Sequence, residues 1–90
     1  MDFTGLELRL KEETYPQTFR FKFVGKNTSL FETGTRDLEG LFPELVMENL
    51  RYSKNESYAS YTYCLEVSCA DEVLAVYKAI QRLSDLEVIL

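Results

Sequence analysis

The sequence predicts an α+β fold in which two helices cover one face of a four-stranded antiparallel sheet, in the order β-α-β-β-α-β. Rings and cations alternate over residues 19–24, tyrosines and polar residues alternate over residues 58–68, and an apolar pattern of helical period follows each of these runs. Because crossover connections are right-handed and each predicted helix has one apolar face, both helices are expected on the same side of the sheet. This arrangement is the ferredoxin-like sandwich.

The first strand is predicted over residues 18–24, and the first helix follows it. Alternation puts three rings on the buried face of the strand and two cations on the other: Phe19, Phe21, Phe23, Arg20 and Lys22. Ser29 and Glu32 have the spacing of a capping box, so the helix is expected to begin at Ser29 and to stop at Pro43. Its apolar face is predicted to hold Leu30, Gly34, Leu38 and Leu41, with Phe31 and Phe42 beside it.

The second and third strands are predicted to form a hairpin across the polar turn at residues 53–57. The second covers residues 45–52, and its two faces are predicted to be Val46, Glu48, Leu50 and Tyr52 on one side and Met47, Asn49 and Arg51 on the other. The third alternates over residues 58–68, with Tyr61, Tyr63, Leu65 and Val67 facing the helices and Ser60, Thr62, Cys64 and Glu66 facing away.

The second helix and the last strand complete the fold. Asp71 is predicted to cap a helix in which Val73, Tyr77, Ile80 and Leu83 recur at helical spacing, and Ser84-Asp85 ends it. Residues 86–90 are predicted as a short strand. Residues 1–15 are expected to form a lead-in that either frays or lies across the domain, because Leu6, Leu8 and Leu10 alternate as in a strand whereas Pro16 prevents a continuing ladder. Residues 16–90 then form a single domain.

Composition and charge disfavour several classes of partner. The chain has 90 residues, of which 15 are acidic and 10 basic, so its net charge of -5 repels phosphate backbones and argues against nucleic-acid binding. The predicted outward positions of the central strands also lack rings on which bases could stack. The sequence has neither an 18-residue apolar run nor the pattern of a signal peptide, so it predicts a soluble, cytoplasmic protein that does not bind membranes.

The residue inventory predicts a protein that is not an enzyme and that carries neither metal nor cofactor. There is no histidine to shuttle protons near neutral pH, and no serine or cysteine stands beside a recognisable base. Cys64 and Cys69 do not have CxxC spacing, so they are interpreted as reduced, structural thiols.

Several stretches together resemble the YbeD-like family of small bacterial proteins: residues 21–25, Ser53-Lys54 with Tyr58-Ala59-Ser60, the alternating strand that follows, and residues 71–77. The similarity extends over residues 15–90 in register. The family is a domain of unknown function, sometimes labelled a lipoate regulatory protein, and its members are similar in fold to ACT-type regulatory modules. The resemblance therefore implies a regulatory or binding role and no established chemistry.

The hairpin turn departs from the pattern of that family. Its members usually carry a glycine before the tyrosine, where this chain has Asn55 and Glu56. A left-handed backbone at the turn is therefore expected to be adopted by the asparagine, which tolerates it better than most residues.

Two segments are candidate binding sites. Gly25, Lys26, Asn27 and Thr28 lead into a helix N-terminus, where free amides and a lysine could hold a phosphate or carboxylate, and ACT-like modules bind small effectors at this loop. The alternative is a plain connection to a capped helix.

The second candidate is a polar contact patch at the hairpin, formed by Ser53, Lys54, Tyr58 and Ser60. The alternative there is ordinary turn chemistry.

Two functions remain open from the sequence. The first is a non-catalytic regulatory module that binds a small ligand or a protein partner through residues 25–28 and 53–60. The second is a structural adaptor that oligomerises, for instance as a homodimer, through the uncovered sheet face or the edge strand at residues 45–52.

Overall fold

The computed structural model describes residues 3–90. The helices are α1 (Thr4–Glu12), α2 (Ser29–Leu41) and α3 (Ala70–Gln81), and the strands are β1 (Gln17–Lys26), β2 (Val46–Tyr52), β3 (Tyr58–Val67) and β4 (Leu86–Ile89). The strands form one antiparallel sheet in the order β2-β3-β1-β4. The predicted α+β, ferredoxin-like fold is confirmed.

The core lies between the helices and the aromatic face of the two central strands. Phe21, Phe23 and Tyr63 are completely buried, and Tyr61 is 2% exposed. Phe23 stacks on Tyr61 and Tyr63 with ring centroids 5.8 and 6.2 Å apart. The alternation of both strands therefore predicted the buried face correctly, because a strand with one buried face must alternate strictly.

The buried stripe of α2 differs from the predicted one. Phe31, Thr35 and Leu38 are buried, whereas Leu30 and Leu41 are about two-thirds exposed. Leucine and phenylalanine are adjacent at both ends of this helix, so the spacing alone fits two neighbouring stripes. The larger Phe31 ring takes the core position, where it contacts Phe23 and Tyr61 edge to face.

In both core helices the N-cap residue lies before the predicted one. Helix α2 begins at Ser29 as predicted, but its N-cap is Thr28, whose hydroxyl oxygen accepts a hydrogen bond from the Phe31 amide at 3.2 Å, so the predicted capping role of Ser29 was wrong. Cys69 precedes α3 without a side-chain cap, and Asp71 lies in the first turn instead of capping it. The Glu72 carboxylate reaches back to accept from the Ser68 amide at 3.1 Å.

A bulge in β2 reverses part of the predicted face assignment. Met47 pairs with Tyr63 and Asn49 pairs with Thr62, so Glu48 is an extra residue in the ladder. Val46 consequently lies opposite Cys64 on the open face, and Met47 lies on the helix face. Because of this extra residue, the residues of β2 before Glu48 lie on the faces opposite to those predicted. Only residues 49–52 lie on the predicted faces.

Helix α1 was not predicted from the sequence. Leu10 is 3% exposed and Leu6 is half-buried against the core, while Leu8 is 61% exposed. The segment contacts α3, and the Tyr15 hydroxyl donates to the Leu10 carbonyl oxygen at 2.8 Å. The division of the chain after residue 15 stays a prediction. None of the helices within residues 3–90 combines the length and apolar character that crossing a membrane requires.

Candidate functional site

One end of the sheet, which we call the loop end, brings together residues 25–28, the turn at residues 53–57 and the connection between α3 and β4. The Asn27 amide donates to the Ser57 carbonyl oxygen at 2.9 Å, and the Asn27 side-chain amide donates to the Glu56 carbonyl oxygen at 2.9 Å. The two segments that the sequence predicted separately are therefore joined directly by hydrogen bonds.

Asp85 is the loop-end residue that the sequence did not predict as part of a site. Its carbonyl oxygen accepts from the Lys26 amide at 2.9 Å, and its carboxylate accepts from the Thr28 hydroxyl at 2.6 Å. The strand order indicates why Asp85 lies here: β4 is beside β1, so the connection that precedes β4 must reach the end of β1. The carboxylate lies next to the cap of α2, so an external anion at this helix start would meet a negative charge.

Four of the eight predicted site residues have roles within the fold. Gly25 is buried beneath the Phe31 ring, Thr28 caps α2, and Asn27 holds the turn. The Ser53 hydroxyl donates to the Asn55 side-chain oxygen at 3.1 Å and accepts from the Tyr58 amide at 3.0 Å. These four residues shape the loop end and leave the other four available for contact.

The remaining four residues form an accessible surface. Lys26 and Tyr58 are cross-strand partners, and Ser60 pairs with Val24, so all three lie where the open sheet face meets the loop end. Tyr58 is 44% exposed. The Lys26 ammonium lies 3.9 Å from the Glu87 carboxylate, a solvated pair worth little, and Lys54 makes no ion pair within residues 3–90. The surface offers two weakly engaged cations and one ring.

The turn at residues 53–57 adopts its left-handed residue at Glu56, with φ of 59°. The expectation that asparagine would do so is wrong. Asn55 instead uses its side-chain oxygen to accept from the Ser53 hydroxyl and the Ser57 amide. Because the Asn55 side chain is held as a local acceptor, the left-handed backbone conformation falls on the next residue, Glu56. A glutamate has no special tolerance for that conformation.

Replacing Glu56 by glycine is expected to raise the free energy of unfolding by about 1 kcal/mol, because glycine adopts positive φ without a Cβ clash. Urea unfolding measures the change. Asn55→Gly is the matched control and should lower stability, since it removes two acceptor bonds at a position without positive φ. Equal effects of the two substitutions would contradict this account of the turn.

Two surface pockets lie away from the loop end. One, of about 400 Å³, lies at the opposite end of the sheet between the C-terminus of α2, the end of β3 and α3. The other, of about 280 Å³, lies beside the start of α3 and is lined by Lys11, Tyr15, Ser68, Cys69, Ala70 and Asp71. No loop-end residue lines either of these two pockets.

The open sheet face is polar around Arg20 and Cys64. The Arg20 guanidinium donates to the Glu48 carboxylate at 2.9 Å. Partial burial, followed in size by the nearby Glu48 carboxylate, raises the pKa of the Cys64 thiol. Cys64 and Cys69 are both free thiols. In the described part of the chain, no group of three or more histidine, cysteine, aspartate or glutamate residues is placed to hold a metal ion.

Comparison with known proteins identifies the family. A family model described as protein of unknown function (DUF493) matches residues 11–90, so the chain belongs to that family. The match is consistent with the YbeD-like resemblance drawn from the sequence. The solution structure of protein HP0495 from H. pylori is similar in fold, with a TM-score of 0.63 and 23% identity over 87% of this chain and 85% of that one. No curated protein matches.

Proposed function

We propose that this member of the DUF493 family is a non-catalytic regulatory module that binds a partner protein through its loop end and the adjoining open sheet face. The observation that carries the proposal is the pair of hydrogen bonds from Asn27 to the turn, which makes one surface of two segments. Lys26, Lys54 and Tyr58 are exposed on that surface without strong internal partners.

A protein partner suits this surface better than an enclosed small molecule. Small-molecule sites are usually concave and bury most of the ligand, and neither described pocket is lined by loop-end residues. Protein interfaces instead are enriched in tyrosine and have a polar, solvent-accessible rim. Asp85 beside the start of α2 also disfavours a bound anion at the helix N-terminus.

The chemistry of the loop end favours binding over catalysis. The hydroxyl of Ser53 donates to an amide oxygen and accepts from an amide, which is turn chemistry and not activation by a base. The full sequence contains no histidine that could act as a general base near neutral pH.

A photo-crosslinking amino acid at position 58 tests the proposal. In cells, it is expected to trap one partner that the same group at Asp37, exposed on α2, does not trap. With that partner purified, Lys26→Ala/Lys54→Ala should weaken the Kd by about tenfold or more, because interface cations set specificity and on-rate. Lys11→Ala/Lys78→Ala removes the same charge elsewhere and should leave the Kd unchanged.

Equal crosslinking from both positions, or equal weakening by both lysine pairs, would contradict the assignment of the surface.

The second candidate, an adaptor that oligomerises through the sheet, has less support. Its longer edge strand, β2, carries a bulge and the charged residues Glu48 and Arg51, features that discourage pairing of edges. Light scattering over a concentration series separates the two functions, since the adaptor requires mass to grow with concentration.

A further inference from the structure

We propose that the pocket at the end of the sheet opposite the loop end, which we call the acidic pocket, binds a lysine or arginine side chain carried by an extended segment of a protein partner. The pocket has a volume of about 400 Å³ and lies where the connection from α2 to β2 diverges from β3. The inference is independent of the proposed role of the loop end, because no loop-end residue lines this pocket.

Five of the residues that line the acidic pocket are apolar, and we call this part of the lining its floor: Leu41, Phe42, Pro43, Leu65 and Ala75. Leu41 is 67% exposed and Phe42 is half-buried, so apolar surface is available to an incoming group. Lysine and arginine bury an aliphatic stem on such a surface while the charged head stays at the rim.

The rim of the acidic pocket is negative. Glu44, Glu66 and Glu72 line it, none of them makes an ion pair within residues 3–90, and no lysine or arginine is among the lining residues. The C-terminus of α2 opens onto the same pocket and has no basic residue in its last turn. The negative end of the α2 dipole adds to the field of Glu44 and Glu66, while the Glu72 carboxylate offsets the positive end of α3 by accepting from the Ser68 amide. The net field of the pocket is therefore negative and complements a cation.

The edge of β3 favours a polypeptide over a free amine. Pairing of β2 with β3 begins at Val46 opposite Cys64, whereas β3 continues to Val67. Within residues 3–90, residues 65–67 thus have no strand partner on the β2 side, next to the acidic pocket. An extended segment can hydrogen-bond to such an edge and place one side chain in the adjacent pocket.

Fluorescence anisotropy with a labelled peptide of alternating lysine and leucine, at low ionic strength, tests the proposal. The peptide is expected to bind, and the corresponding glutamate and leucine peptide is not. Glu44→Gln/Glu66→Gln should weaken the Kd by about tenfold, which corresponds to the loss of two partly exposed charge pairs. Glu12→Gln/Glu13→Gln changes the net charge equally on an exposed segment outside the pocket and should leave the Kd unchanged.

A second pair of variants tests the apolar floor. Leu41→Ser should weaken the peptide Kd severalfold, whereas Leu8→Ser, at a leucine equally exposed on α1, should not. Four results would overturn the proposal. They are failure of the peptide to bind, equal weakening by both glutamate pairs, displacement of the peptide by hexylamine at equal affinity, and self-association of the chain that Glu44→Gln/Glu66→Gln removes.

Discussion

Replacing Gly25 by alanine is expected to lower the free energy of unfolding by about 3 kcal/mol, because the new methyl group overlaps a core ring. An ideal Cβ at this position would lie 2.5 to 2.7 Å from three ring carbons of Phe31. That ring is 1% exposed and is held edge to face by Phe23 and Tyr61, so it cannot swing away cheaply. Urea unfolding measures the loss, which corresponds to a Tm lower by roughly 12–24 °C in a domain of this size.

Two variants separate overlap from the general cost of changing a glycine. Gly40→Ala is the matched control: it lies in α2 with no atom within 4 Å of the added Cβ, and it should gain about 0.5–1 kcal/mol. Phe31→Leu in the Gly25→Ala background should restore part of the loss, because the shortened side chain vacates the space. A Gly25→Ala protein as stable as the original would show that the ring is not fixed as described.

The loop end illustrates what the sequence could and could not predict about a site. In the ferredoxin-like order β1 and β3 are neighbours in the sheet, which places the end of β1 beside the β2–β3 turn, although the two segments were predicted as separate sites. The order of elements could not show what each residue of the loop end does. Gly25 was interpreted as part of an effector loop, whereas its structural reason is the ring above it, a contact between residues whose side chains no local pattern connects. Asp85 was missed because it acts from the far end of the chain.

The fold was predicted where one face is buried along a whole element, and mispredicted where a single residue breaks the pattern. β1 and β3 alternate without interruption, so their faces were correct. In β2 one bulged residue, Glu48, exchanges the faces before it, and no local signal marks it. In α1 the leucines alternate by coincidence: Leu6 and Leu10 face the core at helical spacing, and Leu8 does not.

Raising the pH from about 9 to about 11 is expected to lower the free energy of unfolding by about 1.4 kcal/mol through Tyr63, with further losses in the same direction through Tyr61 and Tyr77. Burial, as the largest cause, raises the pKa of Tyr61, Tyr63 and Tyr77 above the ordinary 10.0, and the hydrogen bond from Tyr63 to Glu39 adds to the shift. Above about pH 10 the unfolded chain releases the Tyr63 proton while the folded chain keeps it, so stability falls by about 1.4 kcal/mol per pH unit through this group. The raised pKa values of Tyr61 and Tyr77 act in the same direction. Below that pH the stabilisation is complete.

Urea unfolding at a series of pH values measures this dependence, and tyrosinate absorbance reports ionisation directly. Lysines titrate in the same range, so the decisive comparison is Tyr63→Phe, which removes one of the three buried hydroxyls. The variant should be less stable at neutral pH by about 1 kcal/mol, because its bond to Glu39 is lost, but its loss of stability above pH 10 should be smaller by about 1.4 kcal/mol per pH unit, the contribution of Tyr63. An unchanged slope would mean that Tyr63 ionises as readily in the fold as outside it, which its complete burial between Phe23 and Tyr61 does not allow.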